Sequence, residues 1–115
     1  MSVAIRAEFE EIRRLAFGLI DPVAFTGIGT AFAHPPRMVL LQNFTDVTLV
    51  FSDDGVKDKI DLLAGTYIIL DLTSNKTIDQ GFCLQQGTRL YARYYDGAPT
   101  LGFVSLSVIY GTTGL

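Results

Sequence analysis

The segment 43–55, NFTDVTLVFSDDG, gathers three aspartates, a glycine and an Asn-Phe-Thr triplet into one short stretch. Three chemistries compete for it: a calcium loop, a glycosylation acceptor and a turn. A helix-loop-helix calcium site needs alternating oxygen ligands, a central glycine and a bidentate glutamate closing the loop. Asp53, Asp54, Gly55 and Asp58 do not have that spacing, and the flanking residues read as strands. An Asp-Gly turn fits better, because both residue types accept the positive φ that tight hairpins demand. The metal reading that remains is a weak cation shared between subunits. Asn43-Phe44-Thr45 and Asn75-Lys76-Thr77 both match the glycosylation triplet, but the start, MSVAIRAEFEE, is acidic where a secretory leader is basic and then apolar. Both asparagines are therefore read as turn formers.

Other reactive side chains stand apart from one another in the sequence. His34 is the only histidine and precedes Pro35-Pro36, which bias it towards extended backbone. No acid or cysteine lies near it at metal-ligand or acid-base spacing, so it is expected on a surface loop. Asp71, inside the apolar run IILDL, is the kind of lone acid whose pKa burial can raise, and a strand end or sheet edge accounts for it more simply. Ser105 and Ser107 share one strand face with no base and no G-x-S-x-G elbow. The lone Cys83, between Phe82 and Leu84, reads as a small buried hydrophobe. The GIGTA segment has glycines but not the G-x-G-x-x-G spacing, so it reads as a bend rather than a phosphate cradle. No catalytic constellation, cofactor site or metal site is expected. In RLYARYYDG, Tyr91, Arg93 and Tyr95 would line one strand face, an arrangement suited to a carbohydrate or protein contact, or to tyrosines that simply cover the sheet.

The elements that position these residues are strands. The chain has 115 residues, enough for one domain with its own core, and 49% of them are apolar against 18% charged. That apolar surplus predicts either an unusually large core or surface meant for other subunits. A net charge of −3, with no lysine before Lys57, argues against nucleic acid as a ligand. No run reaches the roughly 18 apolar residues of a membrane span, so a chain made in a cytoplasm is expected.

From residue 37 onward, period-two patterning recurs between turn signals. RMVLLQ (37–42) and VTLVFS (47–52) flank the NFTD corner and predict a hairpin. DDG then leads to a weak strand near 57–62, followed by TYIILDL (66–72), the polar loop TSNKTIDQG (73–81), FCLQ (82–85), TRLYARYY (88–95) and FVSLSVIY (103–110). Upstream, RRLAFGLI (13–20) and FTGIGTAFA (25–33) also read as strands. Eight or nine strands predict an all-β fold, a jelly-roll-like sandwich of two sheets. Residues 1–12 are ambiguous between a short helix (Ile5, Phe9, Ile12, Ala16 at helical spacing) and an extended arm, giving an arm over 1–12 and a sandwich domain over 13–115.

The segments RRLAFGLI, FTGIGTAFAHPPRMVLLQNFTD, VFSDDG, LLAGTYIILDLTSNK and GFCLQQGTRLYARYY, with the closing GFVSLSVIYG, resemble in texture and order the small β-sandwich virion proteins of tailed bacteriophages. The resemblance covers roughly 13–111; VFSDDG carries an extra acid, and the first dozen residues have no counterpart. It implies a structural, non-enzymatic role in a virion. The role would be that of a capsid cement or decoration protein contacting the major capsid protein or other virion subunits, with self-association as a dimer or higher homo-oligomer. Phe9, Ile12 and Leu15, with Tyr91, Arg93 and Tyr95, are the expected interface residues. A ring component where head meets tail, and a carbohydrate- or receptor-binding module, are the alternatives.

Overall fold

The computed structural model describes residues 5–72 and 85–113. The expected loop 73–81, with Asn75, and Cys83 with most of the run 82–85 lie outside them. Among the described residues there are nine strands: β1 (Ile5–Phe9), β2 (Arg13–Ala16), β3 (Thr26–Gly27), β4 (Pro36–Asn43), β5 (Leu49–Ser52), β6 (Ile60–Leu62), β7 (Tyr67–Asp71), β8 (Tyr91–Tyr94) and β9 (Phe103–Thr113). The only helical turn among the described residues is the 3-10 turn Phe17–Leu19 after β2.

Pairing is nested. β2 pairs β9, β3 pairs β8, β4 pairs β7 and β5 pairs β6, all antiparallel. A ribbon of such nested pairs rolls up when β9 also pairs β4 and β8 also pairs β5. The result is two sheets, one in the order β1-β9-β4-β7 with β2 following β1 along β9, the other in the order β3-β8-β5-β6. This is a jelly roll, the sandwich expected from the strand count.

The core forms where the inward half of each alternation meets between the sheets. Val39, Leu41, Val104, Leu106 and Val108 come from the five-stranded sheet, and Leu49, Phe51, Leu62 and Ala92 from the four-stranded one. Ile28 and Phe32, from the segment between β3 and β4, complete the filling. Burying each large side chain contributes roughly 1.5–3 kcal/mol, which is why one-residue slips in register are excluded.

Two expectations are corrected. β4 and β5 are not a hairpin: they lie in different sheets, and the NFTD corner carries the chain across the sandwich. Each strand is paired on both sides with others, β4 with β7 and β9 and β5 with β6 and β8, and the fully buried side chain of Asn43 bridges the two layers at the crossing. Its Nδ2 donates to the carbonyls of Val47, Leu62 and Leu63 at 2.9, 3.0 and 3.2 Å, while its Oδ1 accepts from the Thr45 amide and hydroxyl at 3.0 and 2.6 Å. The corner also packs against Gly102, whose φ of 92° and contact with the Phe44 carbonyl leave no space for a Cβ. The second correction concerns the N-terminus. Residues 5–9 form not the helix but the extended alternative, a strand on β9, in register from Ile5 opposite Thr113 to Phe9 opposite Ile109. The eleven residues of β9 outrun β4, whose pairing stops at Tyr110, so the far end of β9 has bonds to offer that a helix would leave unmade.

Candidate functional site

Three regions hold the residues that the sequence marks for chemistry. At the DDG turn, Asp54 Oδ1 accepts from the amides of Val56 and Lys57 at 2.8 and 3.0 Å and from the Ser52 hydroxyl at 2.7 Å. These bonds, the Lys57 and Val56 amides first, hold its carboxyl far below the usual aspartate range. Lys59 adds ion pairs to Asp53 and Asp54. The turn reading therefore holds, with Oδ1 of Asp54 committed to nearby backbone amides and the Ser52 hydroxyl and Oδ2 beside Lys59. Among the described residues, no group of three or more acids, histidines or cysteines is placed to hold a metal ion. Asn43 is likewise a structural amide rather than an acceptor site, since it is buried and bonded on both ends.

The second region is a cleft of about 520 Å³ lined by residues 10–14, by part of 29–34 and by Tyr110. Here the break between β1 and β2 turns Glu10 inward, where only 5% of its side chain is exposed. Glu10 pairs with the equally buried Arg13 at 2.7 Å, accepts from the amides of Ala33 and His34 at 3.3 and 2.9 Å, and meets His34 Nδ1 at 2.9 Å. Burial opposes its charge, but the bonds from Arg13, His34 and the two amides outweigh that and hold its carboxyl below the usual value. Arg13 in turn donates to the carbonyls of Glu11, Thr30 and Ala31, and the His34 ring stacks flat on Tyr110 at 3.7 Å. The expected isolated surface histidine is thus half-buried in a charged cluster. Its partners sit 24 residues upstream and at the opposite end of the chain, which is why spacing along the sequence did not reveal them. The acidic-basic run EFEEIRR was the available signal. Chemically, Glu10 can orient the imidazole, yet the bonds of Glu10 and Arg13 run to the chain's own groups. The cluster acts as a clasp fastening the β1-β2 junction to residues 30–34.

The third region is the pair of outer sheet faces. On the four-stranded sheet, alternation turns Tyr91, Arg93 and Val50 outward, yet Val50 is 0% exposed. Arg93, its cross-strand neighbour, reaches Asp58 with both Nε and Nη2 at 3.1 and 2.6 Å, donates to the Pro22 and Tyr94 carbonyls, and lies 5.6 Å from the Phe25 ring. The hydrogen bond that Arg93 donates to Asp58 leads the causes that raise its pKa. The Tyr91 ring rests against Gly55 of the DDG turn and under Arg89. This face is closed by the protein's own side chains.

The five-stranded sheet is different. Register places Phe9, Ile109 and Met38 in one row across β1, β9 and β4, and Leu40 beside Ile69 in the next two strands. Phe9 and Ile69 are 72% and 53% exposed, and Tyr67 and Phe103 are exposed on the same face. Of the expected interface residues, Phe9, Ile12 and Tyr95 are exposed and Tyr91 and Arg93 are half-buried in internal contacts. Leu15 is 5% exposed and belongs to the core, because β2 turns it inward opposite Val104. Ile69, Leu40, Met38 and Ile109 were not anticipated as surface residues; in the runs TYIILDL and RMVLLQ the outward positions are apolar apart from Asp71 and Gln42, which was their signal.

No known protein family matches the chain, and no curated protein resembles it at a significant level. Among the described residues, no helix is long and apolar enough to cross a membrane.

Proposed function

We propose that the chain is a structural protein of a tailed-phage virion, a cement that braces neighbouring capsid subunits through the outer face of its five-stranded sheet. One observation carries this reading: that face presents Phe9, Ile69 and Tyr67 to solvent, with half-buried Met38, Leu40 and Ile109 between them among the polar Ser107, Gln42 and Asp71, more large apolar side chains than an antiparallel sheet facing only water carries. A small jelly roll is rigid, and an apolar face on a rigid body can bury several large side chains across a joint at roughly 1.5–3 kcal/mol each. Repetition over a closed shell multiplies weak contacts into firm attachment. The resemblance in segment order to small virion proteins supplies the setting, and the role is mechanical rather than catalytic. The carbohydrate-binding alternative loses support because Tyr91 rests against the DDG turn and Arg93 is held by Asp58.

The test is to purify particles from the host that carries the chain and to quantify it on stripped shells. Copies in fixed proportion to the major capsid subunit support the cement role, and copies confined to the neck move the protein to the head-tail ring. Absence from particles rejects both. Ile69→Asp in the cement role should abolish attachment to stripped shells while leaving the isolated domain folded.

A further inference from the structure

The sandwich has an edge strand whose sequence reads as its own partner. β1 pairs β9 on one side only, and among the described residues no strand pairs its other edge. Among the described residues the remaining sheet edges are the four-residue β2, which continues the β1 edge along β9, then β7, and the two- and three-residue strands β3 and β6, the latter pair short enough to discourage pairing. β1 lies at the end of a ribbon that outruns the body of the fold, in a molecule measuring 54 × 24 × 21 Å.

The direction of its free bonds follows from one contact. The Glu10 amide donates to the Val108 carbonyl at 3.0 Å, and Glu8 lies opposite Tyr110 in the same register. Backbone groups alternate sides along a strand, so Arg6 and Glu8 turn theirs towards β9 while Ala7 and Phe9 turn theirs to the open edge. An antiparallel copy centred on Ala7 would then form a hydrogen-bonded pair between Ala7 and Ala7 of the second copy. In the same register Arg6 falls opposite Glu8 of the other copy, twice by symmetry. These positions are the non-hydrogen-bonded pairs, where opposing Cα atoms approach to roughly 4.5 Å and side chains meet most closely. The two charges already attract each other within one strand at 3.2 Å, and both side chains are partly open to solvent.

We infer that β1 is a self-pairing strand through which two copies of this chain join, antiparallel about Ala7, into one continuous sheet with a two-fold axis. Such isologous contacts require a self-complementary patch, and Arg6-Ala7-Glu8 is one. The antiparallel register carries the two sandwich bodies to opposite ends of the joined ribbon, clear of each other. Because the axis runs perpendicular to the sheet, both apolar outer faces point the same way. The dimer does not depend on the virion role; if both hold, each dimer grips its support at two places.

Sedimentation of the full chain over a concentration series tests this, with circular dichroism to confirm folding. The wild type should be a dimer. Ala7→Pro removes only an amide that faces the open edge, a position where strands tolerate proline, and should sediment as a folded monomer. Arg6→Glu should weaken the dimer by about tenfold or more by setting two like-charged pairs face to face, and the swap Arg6→Glu with Glu8→Arg should restore it. In a Cys83→Ser background, Ala7→Cys should form a disulfide-linked dimer under mild oxidation, since paired Cα atoms at roughly 5.5 Å suit the bond; Arg6→Cys should not. A wild type that stays monomeric at high concentration, or a folded Ala7→Pro chain that still dimerises, overturns the proposal. A charge swap without rescue overturns the register.

Discussion

The two outer faces of this sandwich begin from the same alternating pattern and end in opposite conditions. On the four-stranded sheet, Val50 faces outward but is fully covered, because Arg93 is tied to Asp58 and to the Pro22 carbonyl and Tyr91 rests on the DDG turn. On the five-stranded sheet, the corresponding positions Leu40 and Met38 are only half-buried, and Ile69 and Phe9 stand open. The protein's own side chains and loops cover one face; on the other, Ile69 and Phe9 meet solvent. An exposed aromatic-arginine strand looks like a binding surface in sequence, yet here its long side chains reach sideways to acids and carbonyls of the same chain, whereas the plain aliphatic run is the surface that remains free.

The largest way to disturb this contrast is at the seam that anchors the open face. Glu10→Gln removes one partner of a buried ion pair beside β1 and should cost about 3–5 kcal/mol of stability, measured by denaturant unfolding. Glu10 also sets the acid response. Its carboxyl is held lower in the folded than in the unfolded protein, so the unfolded chain binds the extra proton as pH falls below about 4.5. The stability Glu10 contributes is therefore complete above that pH and drains away as pH descends through its lowered value. The wild type should lose stability over that range more steeply than Glu10→Gln.

Next comes the sealed face. Val50→Ala should cost about 2 kcal/mol despite its outward orientation, since two buried methyl groups and their contacts are lost. A cost near zero would show that the cover over Val50 is loose. Gly55→Ala, at φ of 74° and with the Tyr91 ring 3.3 Å from the added Cβ, should cost about 1–2 kcal/mol. Smallest is the effect at the open face: Ile69→Thr should change stability by less than about 0.5 kcal/mol while lowering the binding of a hydrophobic dye. If Ile69→Thr destabilised as much as Val50→Ala, the two faces would be equivalent and the contrast would fail.

Much of this architecture was written in local patterning. Leu90, Ala92 and Tyr94 do face the core opposite Arg89, Tyr91 and Arg93, and Val104, Leu106 and Val108 do line it, because a period of two leaves a strand only one way to bury its apolar half. The DDG turn was equally legible, its hydrogen bonds spanning only a few residues. Pairing was not. NFTD looks like a hairpin from its neighbours, and the pairing of β4 and β5 with other strands, with Asn43 reaching to Leu62 and Leu63, makes it a crossing between sheets. Residues 1–12 carried helical and strand spacing at once, and the free length of β9, about a hundred residues away in the chain, decided between them.

By itself, then, the sequence determined strand content, the inward side of most strands and the character of the short turns, because these follow from steric and hydrophobic preferences acting over a few residues. The tertiary structure alone decided that Glu10 meets His34, that Leu15 is core, that Tyr91 and Arg93 are occupied and that Tyr67 and Ile69 stand exposed on β7. Each of those outcomes depends on which distant segment arrives alongside, and the distance is bridged by burial and backbone bonding summed over the whole sheet, not by any signal carried near the residue itself.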